Sequence, residues 1–386
     1  MGKIKNVRDQ ASKILLYVSR IMSSSPELDT VNETILREAR KALNADHASL
    51  FLLDQESGYL MLVKAEGFTS DQIDNLKLLG SWEVINEQLV EKKRPIRAND
   101  IQKNPVFRNK VLPFSAERLP IHSFLAVPLV KDAIIVGALI VSNKKRHSSL
   151  FTKANENFLS TLSNYVAIAL LNARLYIKLK DLFMTTVRSL VKAVDAKDQY
   201  TSGHSERVMK YAYTIGREMG LEHEKLENLR LSSLLHDIGK LGIKESVLSK
   251  PGRLTARERR QIYHHPSIGV RIVDSIADSS KIIRGILEHH EHYDGNGYPN
   301  GLKGKEISLE GRIIAVADIF DALTTSRPYK RKYAPEEAYN MVRKGSGTQF
   351  DPQVVRSFVR SYAKHPEIWQ ALAWAGHGAT EGIDIW

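Results

Sequence analysis

The chain has 386 residues, 42% hydrophobic and 26% charged, a globular balance with room for two ordinary domains. It contains no cysteine, so disulfides, thiolate metal sites, cysteine nucleophiles and thioether-linked chromophores are excluded, and any metal must be held by nitrogen and oxygen. The formal charge of +12 favours anionic partners without choosing among nucleotides, nucleic acids and membranes. The opening MGKIKNVRDQ has no apolar signal core, and no apolar run reaches the roughly 18–20 residues needed to span a bilayer, so a cytoplasmic protein is expected.

Residues 31–67 begin with helix-spaced apolar positions and continue as two strand-like runs joined by the turn-rich DQESG. After a polar middle, SFLAVPLV (123–130) and AIIVGALIVSNK (133–144) give two more strand candidates, an α+β pattern with antiparallel hairpins. The order of helix, hairpin, variable middle, hairpin and closing helix over residues 1–175 resembles a GAF domain, which implies a small-molecule sensor whose ligand the sequence does not name. Asn143, Lys144, Phe151, Asn155 and Glu156 approximate a motif associated with cyclic-nucleotide binding in some such domains, with Asn in place of its Asp. The plainer reading of these residues is a strand end and a helix cap held by polar contacts. His47, His122 and His147 are read as surface or satisfied polar residues.

From about Thr152 to Ala196 the chain has neither proline nor glycine. Leu162, Val166, Ala169, Ala173, Tyr176, Lys180, Phe183, Val187, Leu190 and Val194 recur at spacings of four and three, a heptad seam with one polar member. This predicts a linking helix over 152–196 that pairs two copies into a homodimer. The alternative is a stripe packed on its own domains.

Residues 181–386 are mostly helical by pattern and rich in histidine. His204, His236, Asp237, His265, His289, His290 and Asp318 are scattered, but neutral imidazole with carboxylate and no thiolate suits Fe, Mn, Ni, Co or Zn. Two such metals about 3.5–4 Å apart are the usual clamp for phosphodiester hydrolysis. In SLLHDIGKLG the spacing places His236 and Lys240 on one helix face with Asp237 in the same turn, behind an apolar run that buries them.

HDIGK, Gly297-Tyr298-Pro299 within HHEHYDGNGYPNGLKG, and the further stretches AKDQYTSGHSERV, KPGRLT, HHPSIG, VADIFDALTTSRPYK and FDPQVV occur in order between Val191 and Phe358. On these residues the second half resembles an HD-GYP domain of the HD phosphohydrolases, an all-α fold. The resemblance implies hydrolysis of cyclic di-GMP to pGpG and further to GMP in some members, at a two-metal centre. It assigns one metal to His204, His236, Asp237 and Asp318, and a second to His265, His289 and His290 with Asp237 bridging. Iron is the first expectation, manganese and nickel the alternatives. A water activated between the metals is the implied nucleophile, with Lys240 contacting the scissile phosphate. Arg327, Lys330 and Tyr298 are assigned to substrate, while Asp294 is expected to orient a ligand histidine, with Asp321 and Arg312 in similar supporting roles. His264 and His292 fall outside the ligand pattern. Members with a third metal use a glutamate where this chain has Tyr200, preceded by Gln199, so two metals are expected although Asp198 is close by. Two alternatives stay open: a phosphodiesterase for another cyclic dinucleotide, and a weakly catalytic cyclic di-GMP sensor. No DNA-binding element is expected, and the tail from His365 carries no motif.

Overall fold

A computed structural model of the chain describes residues 28–80, 82–107, 121–143, 150–197, 203–250, 252–275, 280–325 and 332–374. These form two compact units, residues 1–180 and 181–386.

The first unit is built on five antiparallel strands: β1 (His47–Leu53), β2 (Leu60–Glu66), β3 (Ile96–Ala98), β4 (Ser123–Lys131) and β5 (Ile134–Asn143), in the order β2-β1-β5-β4-β3. Period-two side-chain alternation explains how apolar runs build two layers here. Leu125, Val127, Leu139 and Val141 face one side, where they meet Ile35 and Leu36 of α1 (Leu28–Ala42) and Leu159, Leu162 and Val166 of a long helix. Phe124, Ala126, Ala138 and Ile140 face the other, against Leu76 of α2 (Ser70–Gly80), Ile85 and Phe107. Covered on both faces, the central strands read as continuous apolar runs.

The long helix, α3, runs from Lys153 to Lys197. The heptad seam expected along it is not continuous. Leu162, Val166 and Ala169 belong to the core of the first unit and Val187 and Val194 to a core of the second, while Tyr176 is 63% exposed and Leu190 49%. A straight helix drifts about 20° per heptad relative to a 3.5-residue repeat, so one seam cannot face one partner over this length. Between the two cores Leu175, Tyr176, Ile177, Leu179, Leu182 and Phe183 lie exposed.

Helices make up the second unit: α4 (His204–Glu218), α5 (His223–Leu235), α6 (Ala256–Tyr263), α7 (His265–Val273), α8 (Ser280–Glu288), α9 (Leu309–Thr324), α10 (Pro335–Lys344), α11 (Pro352–Lys364) and α12 (Pro366–Trp374). Buried α9, apolar nearly all round, is the central pillar, packed by Val208, Tyr211 and Ile215 of α4, Val342 of α10 and Phe358 of α11. The unassigned tail contributes α12, whose fully buried Trp369 stacks on Tyr211 with ring centroids 4.8 Å apart. Arg312 does not reach the histidines: its guanidinium pairs with the N-cap Asp351 of α11 and ties that helix to α9. Among the described residues no helix is long and apolar enough to cross a membrane.

Candidate metal centre

Three helices of the second unit end at a histidine. His236 caps α5, His265 follows the last turn of α6 and His289 follows α8. A helix leaves its last carbonyls without intrahelical partners. Here those carbonyls accept from imidazole: Nδ1 of His236 donates to Ser233 O, Nδ1 of His265 to Ile262 O and Nδ1 of His289 to Ile286 O, each at 2.7 Å. A carbonyl oxygen only accepts, so the proton is on Nδ1, and in the neutral ring each Nε2 carries a bare lone pair.

The bare nitrogens converge on Asp237. His265 Nε2 lies 3.2 Å from Asp237 Oδ1 and 3.4 Å from His289 Nε2, and His236 Nε2 lies 3.4 Å from Asp237 Oδ2. Every one of these contacts sets an acceptor against an acceptor. Nε2 of His236 is fully buried and has no hydrogen-bond partner among the described residues. Such groups are costly unless a cation lies among them. Two sets of ligand atoms lie within 4.8 Å of one another, Asp237 with His265, His289 and His290, and His204 with His236 and Asp237. Asp237 belongs to both. An imidazole and carboxylate set of this kind fits divalent transition metals.

His204 is held differently. Its Nδ1 lies 2.7 Å from Asp321 Oδ2, and Arg207 grips the same carboxylate with Nε at 2.7 Å and Nη2 at 3.0 Å. Nε2 of His204 faces Asp318 Oδ1 at 3.3 Å and Asp237 Oδ2 at 3.7 Å. Thus Arg207 fixes Asp321, which fixes the ring whose other nitrogen faces the two inner carboxylates. The sequence reading missed Arg207. Its signal was available, since 204 and 207 share a face of α4 at i,i+3 spacing and a charge stands there among buried residues.

Protonation states follow from burial and neighbours. Burial, reinforced by the neighbouring histidines, holds His289 well below the usual imidazole range; burial also lowers His236 and takes His290 to about 3. His204 is equally buried, but hydrogen bonds to Asp318 and Asp321 overcome desolvation and raise it to about 10. Burial would raise Asp237, yet Lys240, His236 and His265 outweigh it and keep the carboxyl well below the usual range. Asp318 is likewise held low by His204 against burial. His236, His289 and His290 are thus neutral and Asp237 and Asp318 ionised, the states a metal requires, whereas His204 has to give up a proton before it can ligate.

The expected single helix face for His236 and Lys240 does not form. The α-helix stops at Leu235, and Ile238–Gly242 is a 3₁₀ turn. Gly239 explains the tightening: a Cβ there would sit 1.9 Å from His265 O and 2.5 Å from Gly269 N, so this turn lies directly against α7. In a 3₁₀ turn residues three apart eclipse, and it is Asp237 and Lys240 that meet, Nζ to Oδ2 at 2.8 Å.

Asp294 does not orient a ligand histidine. Its Oδ1 accepts from Asn296 N at 3.0 Å and closes a turn in the loop that follows the histidines. That loop is held instead by buried Glu291, which accepts from Asn300 N at 2.7 Å and Leu302 N at 3.0 Å. Gly297 passes so close that a Cβ would meet His292 N at 2.2 Å. Tyr298 stacks on His290 at 4.7 Å and on Tyr263 at 4.2 Å. Two near-parallel rings cannot share one face at those distances, so both faces of Tyr298 are covered and no base can stack there; its edge and hydroxyl remain. His264 is exposed and His292 half-buried. Arg327, Lys330, Asp198 and Tyr200 lie outside the described residues.

Residues 188–354 match the HD domain and residues 27–170 match the GAF domain. The chain is 38% identical over 185 residues to the cyclic di-GMP phosphodiesterase response regulator RpfG of Xanthomonas campestris pv. campestris, covering 47% of this chain and 49% of that protein. It is 37% identical over 201 residues to 3'3'-cGAMP-specific phosphodiesterase 3 of Vibrio cholerae serotype O1, covering 52% and 44%. To a cyclic di-GMP phosphodiesterase of Thermotoga maritima it is 39% identical over 184 residues, covering 47% and 50%. The chain thus spans about half the length of the curated relatives it matches. With Gly297-Tyr298-Pro299 in the loop beside the histidine cluster, the chain carries a GAF domain followed by an HD domain.

Proposed function

We propose that the chain is a cytoplasmic, metal-dependent phosphodiesterase that hydrolyses cyclic di-GMP to pGpG, regulated by its GAF domain. The observation that carries this reading is the set of bare Nε2 atoms gathered on Asp237, with each opposite nitrogen already bound to a helix-end carbonyl. His204, His236, Asp237 and Asp318 would hold one metal, and His265, His289 and His290 a second, with Asp237 shared. Iron is the first candidate, then manganese or nickel. Bound cations would supply Lewis acidity to the phosphodiester and ready access to a nucleophilic water near neutral pH.

The chain's own groups do the rest. Lys240 ion-pairs with Asp237 at the edge of the cluster, where its ammonium can take a phosphate oxygen and stabilise the departing one. Arg327 and Lys330 are proposed to hold the second phosphate, Arg327 in bidentate fashion. The Tyr298 hydroxyl is pushed up by burial, with Asp318 and Asp237 adding to the shift, so it stays protonated and can donate a hydrogen bond. A homodimer is proposed through the exposed stretch of α3, where Leu175, Leu179 and Leu182 keep spacings of four and three.

The test is anaerobic turnover with cyclic di-GMP and 3'3'-cGAMP side by side, with product identification and metal counting. Hydrolysis of cyclic di-GMP to pGpG with two metals per chain is expected. Preference for 3'3'-cGAMP would move the substrate to that of the Vibrio relative, and no hydrolysis of either by metal-loaded protein would leave a sensor. Arg327→Ala should keep the metals and weaken cyclic di-GMP binding by the ~1.5–3 kcal/mol of a charged hydrogen bond.

A further inference from the structure

The last turn of α3 reaches the metal cluster by two separate contacts. Nζ of Lys197 donates to Ile243 O at 2.7 Å, to Leu241 O at 2.8 Å and to Lys240 O at 3.4 Å. These carbonyls lie at the end of the 3₁₀ turn that begins beside Asp237 and carries Lys240. An ammonium has three donors, and here all three fall on that turn. Two residues earlier, buried Asp195 accepts from Ser205 Oγ at 3.2 Å, and Ser205 follows His204 at the start of α4. One helical turn therefore grips the chain beside both His204 and Lys240.

We propose that Lys197 is a positioning residue for Lys240, and that the end of α3 is thereby part of the catalytic apparatus. This rests on the phosphodiesterase reading above. Without the ammonium, three carbonyls at the end of a short 3₁₀ turn lose their shared cation. Hydrogen-bond geometry in 3₁₀ turns is poor, so the turn frays readily. Lys240 Nζ then loses its fixed place beside Asp237, although no metal ligand has been touched. Asp195 anchors the same helical turn on the α4 side, so a shift of α3 along or about its axis would move the two contacts together.

Lys197→Met, loaded with metal, should keep wild-type metal content and KM while kcat falls by about 10- to 100-fold, the penalty typical of a misplaced catalytic group. Hydrogen exchange of the metal-loaded protein, read without substrate, should quicken at the amides of residues 238–243 and stay unchanged in α9. Lys197→Arg should recover most of kcat because it restores the cation. Should Lys197→Met fail to fold, Lys197→Gln removes the charge with less loss of polarity and is read in the same way. An unchanged kcat, a loss of kcat that tracks loss of metal, or unchanged exchange at residues 238–243 would each overturn the assignment. If wild-type protein hydrolyses no cyclic dinucleotide, the phosphodiesterase reading falls, while the exchange measurement still decides whether Lys197 holds the turn.

Discussion

The two units treat their polar residues in opposite ways. In the first, Asn143, Asn155 and Glu156 of the approximate nucleotide-binding motif are absorbed by local structure, while Lys144 lies outside the described residues. Asn143 Oδ1 accepts from Asp46 N at 3.0 Å, Asn155 Oδ1 accepts from Thr152 N at 2.8 Å at the start of α3, and Glu156 pairs with Arg97 at 3.0 Å. In the second unit His236, His265 and His289 each have Nδ1 bound to a helix-end carbonyl and the other nitrogen in the cluster around Asp237. A single buried polar group is architecture, whereas several ligand atoms gathered on one shared carboxylate identify a site.

The strongest way to break this contrast is Asp237→Ala. It removes the carboxylate common to both ligand groups, and we expect hydrolysis to fall by a factor on the order of 10³ or more, with bound metal reduced and the helical fold retained by circular dichroism. Full metal content with normal turnover would refute the centre.

Asp321→Asn probes the support behind His204. Metal affinity should drop by ~10–100-fold, as outer partners of ligand histidines usually cost. Since buried Arg207 loses its ionic partner, stability should also fall by ~3–5 kcal/mol in denaturant titrations. A variant with wild-type affinity would show that the backbone of α4 alone orients the ring.

The histidines also give a pH dependence with a definite sign. In metal-free protein His236, His289 and His290 have lowered values, the last about 3, whereas an unfolded imidazole titrates at about 6.5. As pH falls below 6.5 the unfolded chain takes up protons that the folded state refuses, so the melting temperature should decline by several degrees toward pH 4. His204, raised to about 10, contributes nothing to that window because it is protonated in both states below 6.5; its contribution is lost progressively as pH rises from about 6.5 through 10. A flat melting profile from pH 7 to pH 4 with chelator present would contradict the burial of these rings.

The smallest effect sharpens the other side. Asn155→Ala in the first unit should cost about 1 kcal/mol as the loss of a helix-capping contact, with turnover by the second unit unaltered. Loss of a nucleotide response in this variant would return the motif to a binding role.

Much of the second unit could be read from residues, because its histidines and aspartates occur at fixed places in contiguous motifs and their chemistry is particular to metals. The partners of those residues could not. Ser233, Ile262 and Ile286 act through backbone carbonyls, which any side chain would supply, so only the helix ends reveal them. Asp294 misled because proximity in sequence to ligand histidines suggested proximity in space, whereas a turn carries its carboxylate back to Asn296. The seam on α3 overran for a related reason: apolar spacing records that a residue is buried, not what buries it, and Leu162 and Val194 lie in different cores.

The three helix ends have one more effect. Each C-terminus presents roughly half a negative charge beside Asp237 and Asp318, and the N-termini of α4 at His204 and α7 at His265 set the opposite charge against the same groups. Without metal, Lys240, Arg207 and the protonated His204 balance the carboxylates of Asp237, Asp318 and Asp321. A divalent cation entering this set has to displace the His204 proton, so metal uptake should release protons and weaken as pH falls.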